Sequence, residues 1–367
     1  MTYLLAIGTK KGLFLAVSAD RRDWEVTGPV VLGRDESTVQ SSVYAIGIDT
    51  RRERPRLLVG ADSSHFGPSV WHSDDLGADW TEPSDAPPIA FPPDTGASFV
   101  RAWQFAFGPE PDVVWAGVEP HGLFRSDDGG VTYTLNRGLW DHPHRTEWFP
   151  GFGGPAIHTI LPHPADPSRV TVAMSTGGVY QTTDGGETWH PANHGIGADF
   201  LAEPTPEFGQ CVHKAVRDAT DPARMFVQNH GGVYRSDDEA GRWTSIAEGL
   251  PADFGFAIVA HPSRGGTVLN FPVDSAGGRF PPGNRLQAQR SDDAGATWRS
   301  YSDGLPEEPY FGIVLRDAAT TDGASDAGWY FGTRCGDVYA AVESEGGWRQ
   351  VAAHLPDVLC VRAAEVG

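Results

Sequence analysis

Apolar positions fall into short runs that repeat as groups of three. "WQFAF", "VVWAGV" and "GLF" form one group, "HTILPH", "RVTVAM" and "GGVY" the next, and "HKAVRD", "RMFVQN" and "GGVY" a third. Apolar runs of this length, opened by glycine or another small residue, read as strands. Each group ends in a polar nine-residue stretch: "RSDDGGVTY" (125–133), "QTTDGGETW" (181–189) and "RSDDEAGRW" (235–243), with further copies at 72–80 and 290–298. A fourth short strand follows each stretch. Degenerate copies, "VSADRRDW" (17–24) and "VESEGGW" (342–348), bring the number of units to seven.

Four strands per unit at roughly 40–50-residue spacing is the signature of propeller blades. With the strands named A to D from the channel outward, the first unit lacks A and the last leaves "DVLCVRAAEV" over. Pairing that strand into the first blade closes the ring and removes its exposed edges. The predicted fold is all-β: a single seven-bladed propeller of four-stranded blades spanning residues 1–367.

The nine-residue stretch joins strands C and D. In the copy at 125, Asp127 is expected to accept backbone N–H bonds. Gly130 supplies a positive φ, and Ser126 and Thr132 satisfy other backbone groups. Its aromatic packs on its own sheet or on a neighbouring blade. The spacing lacks the alternating oxygen ligands and distal glutamate of a calcium loop, which favours a turn brace over an ion site.

Composition narrows the function. With 45 Gly and 29 Pro the chain suits many turns and few long helices. A net charge of −20 repels polyphosphate and anionic lipid, so neither nucleic acid nor membrane is an expected partner. Three cysteines make no disulfide framework, and Lys10 and Lys11 interrupt the apolar start, a poor signal peptide. The expected location is the cytoplasm.

The pattern S-x-D-x-G-x-T-W resembles the Asp-box, or BNR repeat, of sialidases, xyloglucanase-type glycoside hydrolases, sortilin-like receptors and a photosystem assembly factor. "WFPGFGGPAIHTILPHP", "EFGQCVHKAVRD" and "QNHGGVYRSDD" further resemble soluble bacterial proteins labelled BNR-repeat or sialidase-like glycosyl hydrolases. The resemblance implies the propeller and a carbohydrate-directed hydrolase. The chain departs from sialidases in having seven units and no Arg-Ile-Pro motif. It departs from two-propeller xyloglucanases in having one ring.

Asp-box turns occupy one face of the ring, so B–C and D–A loops form the other. Long D–A connections (about 28–42, 83–101, 137–156 and 192–211) and a long B–C loop (272–285) wall one side of the channel mouth, while the last three D–A connections read as short. Such a lopsided funnel suits a small-molecule or carbohydrate ligand. Strand A begins with Tyr44, Trp103 and Phe256 in three blades and with His158 and His213 in two others. Nearby loops add Asp62, His65, Glu119, His121, His230, Asp274, Arg279 and Arg334.

Three readings follow. His158, His213 and His230, from adjacent blades, are candidate ligands for a divalent metal (Zn, Mn or Fe), with Glu119 or water completing the set. Glu119 and Asp62, with Arg334, are the candidate catalytic group over a sugar stacked on Trp103 or Tyr44, with Arg101, His121 and His65 binding the ligand; Asp274 and Glu147 are further candidate acids. In the third, the histidines bond loop backbone, and the propeller is a non-catalytic binding or assembly scaffold. Cys211, two residues before His213, reads as a small buried or tip residue, although a thiolate beside histidine is a catalytic pairing. Chain pattern leaves oligomeric state open.

Overall fold

The computed structural model describes residues 1–30, 32, 41–81, 87–149, 151 and 153–367. The predicted loops 28–42, 83–101 and 137–156 therefore lie partly outside the described residues. Seven antiparallel sheets succeed one another along the chain. Blade one is closed as the leftover strand implied: Val358–Glu365 is its innermost strand and pairs with Tyr3–Thr9, followed by Gly12–Ser18 and Glu25–Val30. Blade two has Ser42–Asp49, Arg56–Ser63 and Gly67–Ser73, and a single bridge from His72 to Thr81 marks its outer edge. The other five blades have four strands each, with inner strands Arg101–Phe107, Ile157–His163, Val212–Arg217, Phe254–Ala260 and Ala319–Thr321. The chain is thus an all-β seven-bladed propeller.

The core sits between adjacent blades. One cluster joins Leu5 and Ile7 of blade one, Leu269 of blade six and Trp329 and Phe331 of blade seven, all essentially buried. Blades pack so closely that a Cβ at Gly117 would stand 2.3 Å from the Ile157 carbonyl oxygen. The turns rivet neighbours together: Trp243, Trp298 and Trp348 donate their indole N–H to Ala192, Ile246 and Tyr301, each on the outer edge of the preceding blade.

The repeated turn is built as expected except for its aspartate. Asp128, not Asp127, is the brace. Its carboxylate accepts from Ser126 Oγ (2.7 Å), the Thr132 amide (2.9 Å) and Thr132 Oγ1 (2.6 Å). Asp127 points outward and pairs with Arg125. Asp75, Asp184, Asp238 and Asp293 repeat the Asp128 role. Gly130, at φ 91°, follows, and a Cβ there would press into Leu58 at 2.8 Å.

One connection departs from expectation. Between blades six and seven the chain runs from Arg299–Ser300 to Ala319–Thr321, so residues 301–318 form a long link where the sequence pattern predicts a short one. Within it, the backbone of residues 312–317 is irregular apart from a parallel bridge between Asp317 and Cys360.

Candidate functional site

Six of the seven inner strands are interrupted by a bulge near the same end. The pairing register skips at Tyr44, Trp103, His158, His213, Phe256 with Ala257, and Leu359. A bulged residue leaves the ladder and its side chain is re-aimed. Five of these six positions are the ones that strand alignment singled out. Four of those, Tyr44, Trp103, His213 and Phe256, line a cavity of about 500 Å³, and Leu359 joins them. Loop residues Phe149, Phe200, His230 and Arg279 enclose it, so its walls come from inner-strand starts, B–C loops and D–A loops.

The wall between blades five and six carries the imidazoles. His213 is buried, stacked on Phe256 at 4.8 Å, and its Nδ1 lies 2.6 Å from the Gly255 carbonyl oxygen. A carbonyl only accepts, so Nδ1 carries the proton and Nε2 presents a lone pair. Burial pushes the imidazole down to about 3, helped by the nearby Arg316 charge, so the ring is neutral at physiological pH. Nε2 faces Cys211 Sγ at 3.6 Å. The His230 ring stands 5.5 Å from that of His213, and its amide donates to the Cys211 carbonyl.

His158 does not join this group. Its ring is buried, with nitrogens 3.3 Å from Thr159 Oγ1 and Ser175 Oγ, and burial holds it well below the usual histidine range. The third donor that meets His213 and His230 is Cys211, and their ligand atoms lie within 4.8 Å of one another.

The opposite wall is aromatic and cationic. Tyr44 and Trp103 rings are 5.4 Å apart; Arg101 lies over Tyr44 and Arg316 over Trp103. Sequence reasoning missed Arg316. Burial lowers its affinity for the proton, the Cys211 and Asp317 charges oppose that, and it forms no ion pair among the described residues. Its neighbour Asp317 is spoken for: burial alone would raise this carboxyl, but Lys214 Nζ (2.8 Å) and Arg362 Nη2 (2.6 Å) hold it below the usual range. Arg279 reaches the cavity from a left-handed backbone conformation (φ 54°), strain of the kind that collects at ligand sites. In a chain of net charge −20, this pit is lined by two guanidiniums.

The remaining candidates are elsewhere. Glu119 and Asp62 bracket the Arg101 guanidinium at 3.3 and 3.5 Å, and Glu119 also accepts from Trp103 Nε1 at 3.1 Å. Neither is among the residues that line the cavity. Arg334 is half-exposed and pairs with Asp357 at 2.7 Å, apart from both carboxylates. His65 is exposed beside Phe66. His121 is buried against Trp148 at 5.4 Å, and burial pushes it down to about 4. Asp274 accepts from the Phe280 amide and closes its own loop, and Glu147 is exposed.

No family model matches the chain. An oligoxyloglucan-reducing end-specific xyloglucanase of Emericella nidulans is 24% identical over 89% of the chain, which spans 43% of that enzyme's length. Among solved structures, the GH74 enzyme of Niastella koreensis superposes with a TM-score of 0.58 at 15% identity, covering 97% of this chain and 65% of that one. A YCF48 chain bound to a D1 peptide gives 0.53 at 12% identity, covering 85% and 82%. At these identities the likeness to solved structures is one of architecture: the chain shares the β-propeller fold found in GH74 enzymes and YCF48.

Proposed function

We propose that the protein is a glycosyl hydrolase-like propeller that takes a small sugar bearing an anionic group, such as a carboxylate, into the central cavity. The observation that carries this reading is Arg316, a partly buried guanidinium in an aromatic-walled cavity with no carboxylate paired to it among the described residues. A cation drawn partly out of water gains from an anion that meets it. Arg279 supplies a second donor fork, and a planar carboxylate matches such forks. Tyr44 and Trp103 offer the apolar faces on which a sugar ring stacks. The likeness to xyloglucanases supports carbohydrate as the ligand class.

One observation favours binding without cleavage. Hydrolysis of a glycosidic bond ordinarily calls on two carboxyl groups. The one carboxylate among the described residues that line the cavity, Asp317, is consumed by Lys214 and Arg362, and Glu119 and Asp62 are engaged by Arg101. The alternative is therefore a non-catalytic propeller that holds its ligand, as the YCF48 chain holds a peptide.

Calorimetric titration with uronic-acid oligosaccharides and their neutral counterparts tests the reading. The acidic sugars are expected to bind more tightly, and Arg316→Gln to lose about 10–150-fold, the equivalent of roughly 1.5–3 kcal/mol for charge-assisted bonds. A reducing-end assay on the same mixtures separates cleavage from retention. A wild-type protein indifferent to both sugar classes would remove the proposal.

A further inference from the structure

Cys211, His213 and His230 converge on one wall of the cavity and, among the described residues, share no hydrogen-bonded acid that would explain them as a structural network. Their ligand atoms lie within 4.8 Å of one another, and the Cys211 Sγ to His213 Nε2 distance is 3.6 Å. Donors on a tetrahedral zinc stand roughly 3.3–3.8 Å apart, given metal–ligand bonds of about 2.0–2.3 Å. One edge of such a site is already in place, and the others need about 1 Å of side-chain movement.

Two features prepare the trio for a cation. The Gly255 carbonyl accepts a hydrogen bond from the Nδ1–H of His213 and so fixes the tautomer whose Nε2 lone pair faces the thiol. Metal-bound histidines are oriented by such outer hydrogen bonds. The bond from the His230 amide to the Cys211 carbonyl ties the third ring beside the cysteine although it comes from a different loop. A thiol–imidazole dyad would need one ring only. Convergence of the second ring is what selects a metal over a nucleophile.

We infer that Cys211, His213 and His230 bind a thiophilic divalent cation, zinc above magnesium, calcium or manganese, with the fourth donor coming from the cavity. Thiolate and imidazole donors favour zinc over hard cations. Burial raises the Cys211 thiol and the nearby Arg316 charge opposes that only in part, so metal binding would have to displace the thiol proton to solvent. All three residues line the cavity, so water or a ligand's anionic oxygen can complete the coordination. The inference stands independently of the carbohydrate reading, because metal binding is measured without sugar.

The test is titration of the chelator-treated full chain with cobalt(II), a spectroscopic stand-in for zinc. One equivalent is expected to produce tetrahedral d–d absorption and a thiolate-to-cobalt charge-transfer band, both abolished by added zinc. Cys211→Ser should lose the charge-transfer band, and Cys335→Ser, which removes the exposed thiol, should keep it. His230→Ala should weaken cobalt at least by the roughly 10–100-fold that loss of an outer partner costs. Should Cys211→Ser fold poorly, alkylation of Cys211 in the Cys335→Ser chain gives a second readout, slowed by zinc and not by magnesium. No tetrahedral spectrum, a charge-transfer band that follows Cys335, or alkylation indifferent to zinc would each overturn the site.

Discussion

Replacing Asp128 by alanine tests the repeated turn, and replacing Asp127 provides the control one residue away. Asp128 accepts hydrogen bonds from Ser126 Oγ, Thr132 Oγ1 and the amides of Val131 and Thr132. Each net bond in a solvent-facing turn is worth about 0.5 kcal/mol, the low end of the usual range, so Asp128→Ala should cost about 1–2 kcal/mol. A chain of this length unfolds with an entropy of about 0.8 kcal/mol/K, which makes the melting shift about 1–3 °C. Asp127→Ala removes only an exposed pair with Arg125 and should move melting by less than about 1 °C.

The pH dependence is a sharper readout. Partial burial would raise the Asp128 carboxyl, but bonds from Ser126, Thr132 and Val131 outweigh it and bring it down to about 2. A depressed carboxyl contributes stability that is present above the unfolded value of about 3.9 and lost as pH falls through the folded value. The window is therefore about pH 4 to 2. The nominal linkage of about 2.5 kcal/mol shrinks to about 1 kcal/mol once the exposure of this residue is allowed for. Calorimetric melting from pH 7 to 2 should show a shallower acid limb for Asp128→Ala than for wild type or Asp127→Ala. Equal shifts for the two variants, or an unchanged acid limb in Asp128→Ala, would refute the turn assignment.

Deleting residues 358–367 removes the inner strand of blade one, including Val358, Cys360 and Val361, all fully buried, and should abolish cooperative unfolding by calorimetry; unchanged melting would refute this closure. Asp317→Asn keeps the shape but leaves buried Lys214 and partly buried Arg362 as unpaired like charges. It should cost about 3–5 kcal/mol, a fall of about 4–6 °C, and an unshifted transition would mean the trio is not buried as described.

The sequence by itself determined the ring. Its period, its seven turns and its leftover terminal strand are local or repeating signals, and each maps onto one piece of backbone. It also placed Tyr44, Trp103, His158, His213 and Phe256 at one height in the channel, because corresponding positions in repeated strands occupy corresponding places. What period cannot give is the direction of a side chain after a bulge. His158 and His213 share a position, yet His158 turns into a buried pocket beside Ser175 while His213 faces the cavity. The choice between Asp127 and Asp128 turned on which carboxylate points back into its own turn, a matter of turn geometry within one motif. The copies "QTTDGGETW" and "RSDDGGVTY", aligned on their second glycine, hold the signal that separates the two. Arg316 carried no such signal, because it lies in the irregular 301–318 link, outside the repeat. Its meeting with Trp103, more than 200 residues earlier, exists only because the ring closes. Likewise Arg101 decides the fate of Glu119 and Asp62: two carboxylates whose loop positions make them look catalytic are ion-paired, since the tertiary fold places one guanidinium between them.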